Sequence, residues 1–127
     1  SVSCGDGGKR LISLARALIK EPKVIVFDEA NAKLDPKTAS KIMDICSKEL
    51  KDCVVIFIVH RIDTILDFDK IMVLERGMLK EFAAPYELLQ NESSYFSQML
   101  RSSSNTEESY QEKYEIAKAH YFSKATH

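Results

Sequence analysis

Apolar residues recur along this chain in two periods, and the switches between them outline its elements. Leu11, Leu14, Ala15, Leu18 and Ile19 follow i, i+3, i+4, i+7, i+8 spacing, one helical stripe that starts near Lys9. Pro22 predicts that this helix stops at Glu21, because the residue before a proline is pushed out of the helical region. Residues 24–27 (VIVF) are apolar on both faces and end in Asp28-Glu29. So short a continuous run predicts a strand buried on both sides, as in a parallel sheet. Asp35-Pro36 predicts a helix start, a capping carboxylate followed by proline at the first helical position. Ala39, Ile42, Met43 and Cys46 make its apolar face. Residues 53–59 (CVVIFIV) are largely β-branched and unbroken, a second buried strand with His60-Arg61 at its carboxyl end.

The second half changes character. Ile62, Ile65 and Leu66 predict a short helix. Residues 70–74 and 79–82 flank Arg76-Gly77 and predict a hairpin. Two short helices are expected next, one from Pro85 and one from Ser93 or Ser94 to Leu100. Residues 101–109 (RSSSNTEES) read as a linker. Tyr110, Tyr114, Ala117 and Tyr121 then predict a marginal amphipathic helix carrying no site. The opening residues 1–8 (SVSCGDGG) hold three of the four glycines and read as a loop. Strands alternating with helices imply an α/β fold with right-handed parallel crossovers. In such sheets ligands sit at the carboxyl ends of the strands, where the acidic pair and the histidine both fall.

Composition narrows the function classes. The 127 residues carry 45% hydrophobic and 29% charged side chains, ordinary for one globular domain or a piece of one. Eighteen Lys and Arg against 19 Asp and Glu leave a net charge of −1, which argues against nucleic acid held by bulk positive charge. The run 54–59 is too short to span a bilayer, and the polar first residues predict no secretory signal. Cys4, Cys46 and Cys53 include no CxxC pair, so three reduced thiols are expected rather than a zinc site or a disulfide framework.

The chemistry-bearing residues are few. Asp28 and Glu29 place two carboxylates where a buried strand emerges. The first can hold Mg²⁺, directly or through water. The second can orient and deprotonate a water that attacks a phosphoryl group. Either reading is weak alone, since strands often end in solvated acids. His60 follows Asp28 by 32 residues, one helix crossover later, at the end of the other buried strand. Its imidazole can donate a hydrogen bond to a terminal phosphate there.

Taken together these residues carry a resemblance. LARAL at 14–18, VIVFDEA at 24–30, KLD at 33–35 and IVHR at 58–61 stand in the order and spacing of ABC-transporter ATPase domains, over roughly residues 1–100. The resemblance implies a partial P-loop NTPase lobe, an α/β fold with parallel central strands followed by a C-terminal hairpin and helices. It implies that residues 24–28 are the Walker B strand, with Asp28 at the magnesium site, through water. Glu29 resembles the catalytic base and His60 the switch histidine that senses γ-phosphate. Asp35 belongs to the segment that resembles the D-loop, and Gly5 and Gly7 to the signature loop, both serving the nucleotide site of a partner domain. ATP and Mg²⁺ are the implied cofactors. A second nucleotide-binding domain and transmembrane domains are the implied partners, with the chain on the cytoplasmic face of a membrane. HRIDTI at 60–65 is similar to exporters, and residues 69–100 resemble the multidrug-resistance-associated (C) subfamily. The tail after Leu100 implies the second, C-terminal ATPase domain.

Two departures bear on activity. No GxxxxGK[ST] phosphate loop occurs in the 127 residues, so the resemblance implies the carboxyl-terminal part of a domain, from the signature loop onward. The LSGGQ-like positions fall on Cys4-Gly5-Asp6-Gly7-Gly8, where only Gly7 matches and Gly5 replaces the phosphate-binding serine. A carboxylate at Asp6 about 5 Å from a phosphate charge would cost roughly 3 kcal/mol, about a hundredfold in affinity. Asp6 pointing outward, Ser3 serving in a shifted register, and a damaged stretch of sequence all remain open at this point. Three functions follow: an exporter ATPase segment, a degenerate non-hydrolysing nucleotide-binding or regulatory module, or a soluble ABC ATPase. The last carries coiled coils or tandem cassettes, which this chain does not show.

Overall fold

A computed structural model describes residues 15–16, 19–28, 36–50 and 52–125. The chain divides into two compact units, residues 1–60 and 61–127. The loop at 1–8 lies outside the described residues. So does most of the first helix, of which Ala15, Arg16 and Ile19 are helical. Glu21 has φ 48, a left-handed residue directly before Pro22 that turns the chain out of the helix.

The first unit is a strand–helix–strand crossover. Strand β1 spans Val24–Asp28, helix α1 Pro36–Glu49 and strand β2 Val54–Ile58. The strands pair in parallel, with Ile25 opposite Val55, Phe27 opposite Phe57 and Asp28 opposite Ile58. Helix α1 supplies the core: buried Ile42 and Cys46 pack with Phe27, Ile45, Leu50, Val55 and Phe57. The helix ends in a chain of backbone bonds, Leu50 N–H to Cys46 C=O at 3.1 Å and Cys53 N–H to Leu50 C=O at 3.2 Å, which delivers the chain to β2.

One sequence expectation needs correction here. The strands read as buried on both faces, yet several described side chains of the face away from α1 are exposed. Ile25 is buried, whereas Val24, Val26, Val54 and Ile58 are 54%, 57%, 59% and 46% exposed. Side chains alternate along a strand, so a single crossover helix covers every second residue and leaves the others open.

The second unit opens with a 3₁₀ turn, Ile62–Thr64, in place of the short helix expected from Ile62 to Leu66. Ile65 and Leu66 follow it into the interior. Strands β3 (Ile71–Glu75) and β4 (Met78–Ala83) form the expected antiparallel hairpin. Arg76 and Gly77 both have positive φ, 50 and 77, the backbone of a tight turn whose twist matches the flanking strands. Helices α2 (Pro85–Leu89), α3 (Tyr95–Ser103) and α4 (Glu107–Ala125) complete the chain. Ser94 caps α3, its Oγ accepting from Ser97 N–H at 3.0 Å. Glu81 of β4 accepts from the Tyr95 and Phe96 amides, which ties the hairpin to the same helix start. Phe96 and Leu100 are the largest fully buried side chains described in this unit.

The tail differs from its sequence reading. Where 101–109 reads as a linker, α3 runs through Ser103 and α4 begins at Glu107, leaving only Ser104, Asn105 and Thr106 between them. Helix α4 is anchored by burial of Tyr110 and Ala117. Tyr86 of α2 meets Tyr114, Tyr121 and Phe122 at ring separations of 5.8, 5.1 and 5.4 Å. Arg101 lies 3.9 Å from the Tyr110 ring and bonds Glu107 at 2.8 Å. These contacts give a helix of weak intrinsic tendency a surface to fold against.

Candidate functional site

Asp28 ends β1 and is paired in register with Ile58, the last residue of β2. His60 stands two residues beyond Ile58. Parallel pairing therefore carries Asp28 and His60 to the same, carboxyl edge of the sheet. Asp28 is half-buried and His60 exposed. Both edges leave the strand where backbone groups stop pairing, the position at which open α/β sheets take ligands.

Of the other residues singled out, Glu29, Asp35, Gly5 and Gly7 lie outside the described residues, as does Asp6.

Among the described residues no group of three or more His, Cys, Asp or Glu side chains is gathered to hold a metal. Magnesium on a nucleotide takes one or two carboxylates and completes its shell with phosphates and water. Asp28 is the described residue that would hold it, as a hard oxygen donor. Of the described thiols, Cys46 offers no competing soft site. Burial, reinforced by the neighbouring Cys53, pushes the Cys46 thiol up to about 11, so it remains protonated packing material. Cys46 and Cys53 are both free.

Downstream of His60, side chains of the tail reach back. Lys113 of α4 pairs with Asp63 at 3.1 Å. Lys124 pairs with Asp69, and His120 Nε2 lies 3.9 Å from the same carboxylate. These pairs leave no trace in local pattern, because partners about 50 residues apart create no periodicity. No helix among the described residues is long and apolar enough to cross a membrane.

No protein-family profile matches the chain. Curated relatives do. The chain is 47% identical over 103 residues to ABC transporter 7 of Pyricularia oryzae, covering 80% of this chain and 6% of that protein. It is 43% identical over 95 residues to human ATP-binding cassette sub-family C member 4, covering 75% of this chain and 7% of that protein. It is 45% identical over 97 residues to ABC transporter C family member 13 of Arabidopsis thaliana, covering 76% and 7%. The chain thus spans about 6–7% of the length of these relatives. Its fold matches a solved bacterial Atm1-family ABC exporter with ATP bound, with a TM-score of 0.67 and 32% identity, over 80% of this chain and 18% of that one. Identity of this order over 75–80% of the chain, joined to the same fold, means that the chain belongs to the ABC transporter family, on the side of its C subfamily.

Proposed function

We propose that the chain is part of the ATP-binding and ATP-hydrolysing domain of an ABC exporter, where hydrolysis is coupled to transport across a membrane. It would lie on the cytoplasmic face, against a second nucleotide-binding domain and the transmembrane domains. The observation that carries this reading is the register that ends β1 and β2 together, with Asp28 on one strand and His60 just past the other. Asp28 would hold Mg²⁺, which neutralises charge on the phosphates when bound. Glu29, the next carboxylate, is the general base that takes a proton from the attacking water. His60 donates to the terminal phosphate and holds it in line. Asp35, Gly5 and Gly7 would serve the nucleotide of the facing domain. The exposed apolar face of Val24, Val26, Val54 and Ile58 supports a setting in which further structure covers the sheet.

A second reading keeps the fold and loses the turnover: a nucleotide-binding or regulatory module. Gly5 and Asp6 in the signature positions favour it. Glu29→Gln in the full-length protein separates the two. In the first reading turnover falls by about a hundredfold or more while ATP binding persists, since the amide keeps the shape and cannot take the proton. Unchanged turnover removes Glu29 from the role, and absence of turnover in the parent protein selects the second reading.

A further inference from the structure

Two aromatic rings lie directly behind the carboxyl edge of the β1–β2 pair. Phe27 and Phe57 are register partners on the rung before the last, and the last joins Asp28 to Ile58. Their rings stack with centroids 4.9 Å apart and pack on Ile42 and Cys46 of α1. Side chains alternate along a strand. With Ile25 buried and Phe27 turned to the helix, Asp28 falls with the exposed Val24 and Val26 on the other face.

The face that Asp28 takes is therefore set by where Phe27 is held. Moving β1 by one residue exchanges the two positions. The carboxylate would then turn toward Ile42 and Cys46, where an unpaired charge is costly. Smaller shifts matter as well. Asp28 is the last residue of β1, so the ladder steadies it from the preceding rungs. An aliphatic pair on the nearest rung would bury similar area but slide freely. Two stacked rings have a preferred offset and resist sliding, worth about 0.5–1.5 kcal/mol beyond their burial.

We propose that Phe57 is a positioning residue for Asp28, acting through its stack on Phe27. The inference rests on the reading that Asp28 holds the magnesium of a bound nucleotide. A metal-binding carboxylate must sit within about 0.5 Å of its productive place, and the groups that orient a ligand from behind strongly affect metal affinity. Phe57 touches neither metal nor nucleotide in this role. It holds the rung, the rung holds the strand end, and the strand end aims the carboxylate.

The test uses the full-length protein in lipid vesicles, saturated with a non-hydrolysable ATP analogue and titrated with Mn²⁺ in place of Mg²⁺. The electron paramagnetic resonance signal of bound Mn²⁺ gives its half-saturation without any turnover. Phe57→Leu stays apolar but has no ring, and should raise the half-saturating Mn²⁺ concentration by about tenfold. Phe27→Leu should do the same, and the double variant should be no worse than the poorer single one, because both remove one stack. Phe57→Tyr keeps the ring and should stay within about twofold of the parent. Val55→Ala is the control for plain loss of core, since Val55 packs on the same α1 cluster from the rung of Ile25. It should lower the unfolding midpoint at least as far as Phe57→Leu does, with Mn²⁺ half-saturation within about twofold of the parent. In the nucleotide-free protein the amides of residues 27, 28 and 58 should exchange faster in Phe57→Leu than in Val55→Ala. Unchanged Mn²⁺ half-saturation in both Phe→Leu variants, or an equal rise in Val55→Ala, overturns the inference. Asp28→Ala in the same titration separates the two levels. A lost Mn²⁺ site there beside an unaffected Phe57→Leu sinks only the positioning role, whereas Asp28→Ala that binds Mn²⁺ like the parent sinks the reading of Asp28 as well.

Discussion

Phe27 of β1 stacks on Phe57 of β2, with ring centroids 4.9 Å apart and ring planes inclined by 18°. They are register partners in the parallel pair. Both pack toward Ile42 and Cys46 of α1, so the stack sits where sheet and helix meet. A slip of one residue in either strand would turn its own ring to the open face and unstack the pair, which makes this contact a lock on the register that ends Asp28 and Ile58 together. Phe57→Ala should cost about 2–3 kcal/mol, somewhat under a fully buried phenylalanine. The pair Phe27→Ala and Phe57→Ala should show a coupling of about 1 kcal/mol. Urea unfolding of the four members of that cycle measures it; strictly additive losses would mean that the rings do not support one another.

Tyr86 joins α2 to α4 through three rings at once. Gln90 adds a bond to the Tyr114 hydroxyl at 3.2 Å. Tyr86→Ala should free the tail, with a loss of about 2 kcal/mol in the local docking of α4. Limited proteolysis is the direct readout: cleavage should move into residues 107–125 in the variant and remain slow there in the parent chain.

The Cys46 thiol offers a pH test. Burial and Cys53 raise it from an ordinary 9.0 to about 11. Between those values the unfolded chain has released this proton and the folded chain has kept it. The unfolded state therefore binds fewer protons, and stability falls as pH rises from about 9 toward 11, being fully present below 9. Tyrosines titrate near the top of that window, so the useful range is pH 8 to about 9.5. The unfolding midpoint should hold to about pH 9 and decline above it, and Cys46→Ala should flatten the decline. Iodoacetamide at pH 8.5 should modify Cys53 well before Cys46; equal rates at the two thiols would contradict the burial argument.

Nucleotide binding by the 127-residue chain alone should be weak. It contains no GxxxxGK[ST] sequence to cradle the phosphates. Calorimetric titration with Mg-ATP should give no saturable heat at micromolar concentration and no hydrolysis above background. Micromolar affinity for this chain by itself would place the phosphate contacts on residues other than those the family pattern implies.

Much of the architecture was legible in local pattern. Pro36 and Pro85 begin helices, Ser94 caps one, and Arg76-Gly77 turns the hairpin, each because its backbone chemistry acts on immediate neighbours. The apolar runs at 24–27 and 53–59 announced two strands in a crossover, and the parallel pair followed from right-handed connectivity. The family, too, was written in ordered motifs, since LARAL, VIVFDEA, KLD and IVHR keep their spacing along the chain. What local pattern could not carry was anything that depends on partners far apart in sequence. Which face of each strand is covered was decided by where α1 lies, so Val26 is exposed although its neighbour Ile25 is buried. The tail read as linker and marginal helix because its polar residues show no strong stripe. Its helix exists where Tyr86 and Asp63 offer it contacts from remote positions. Burial and ion pairing are properties of the assembled surface, and a sequence specifies them only through the tertiary structure that brings those residues within reach.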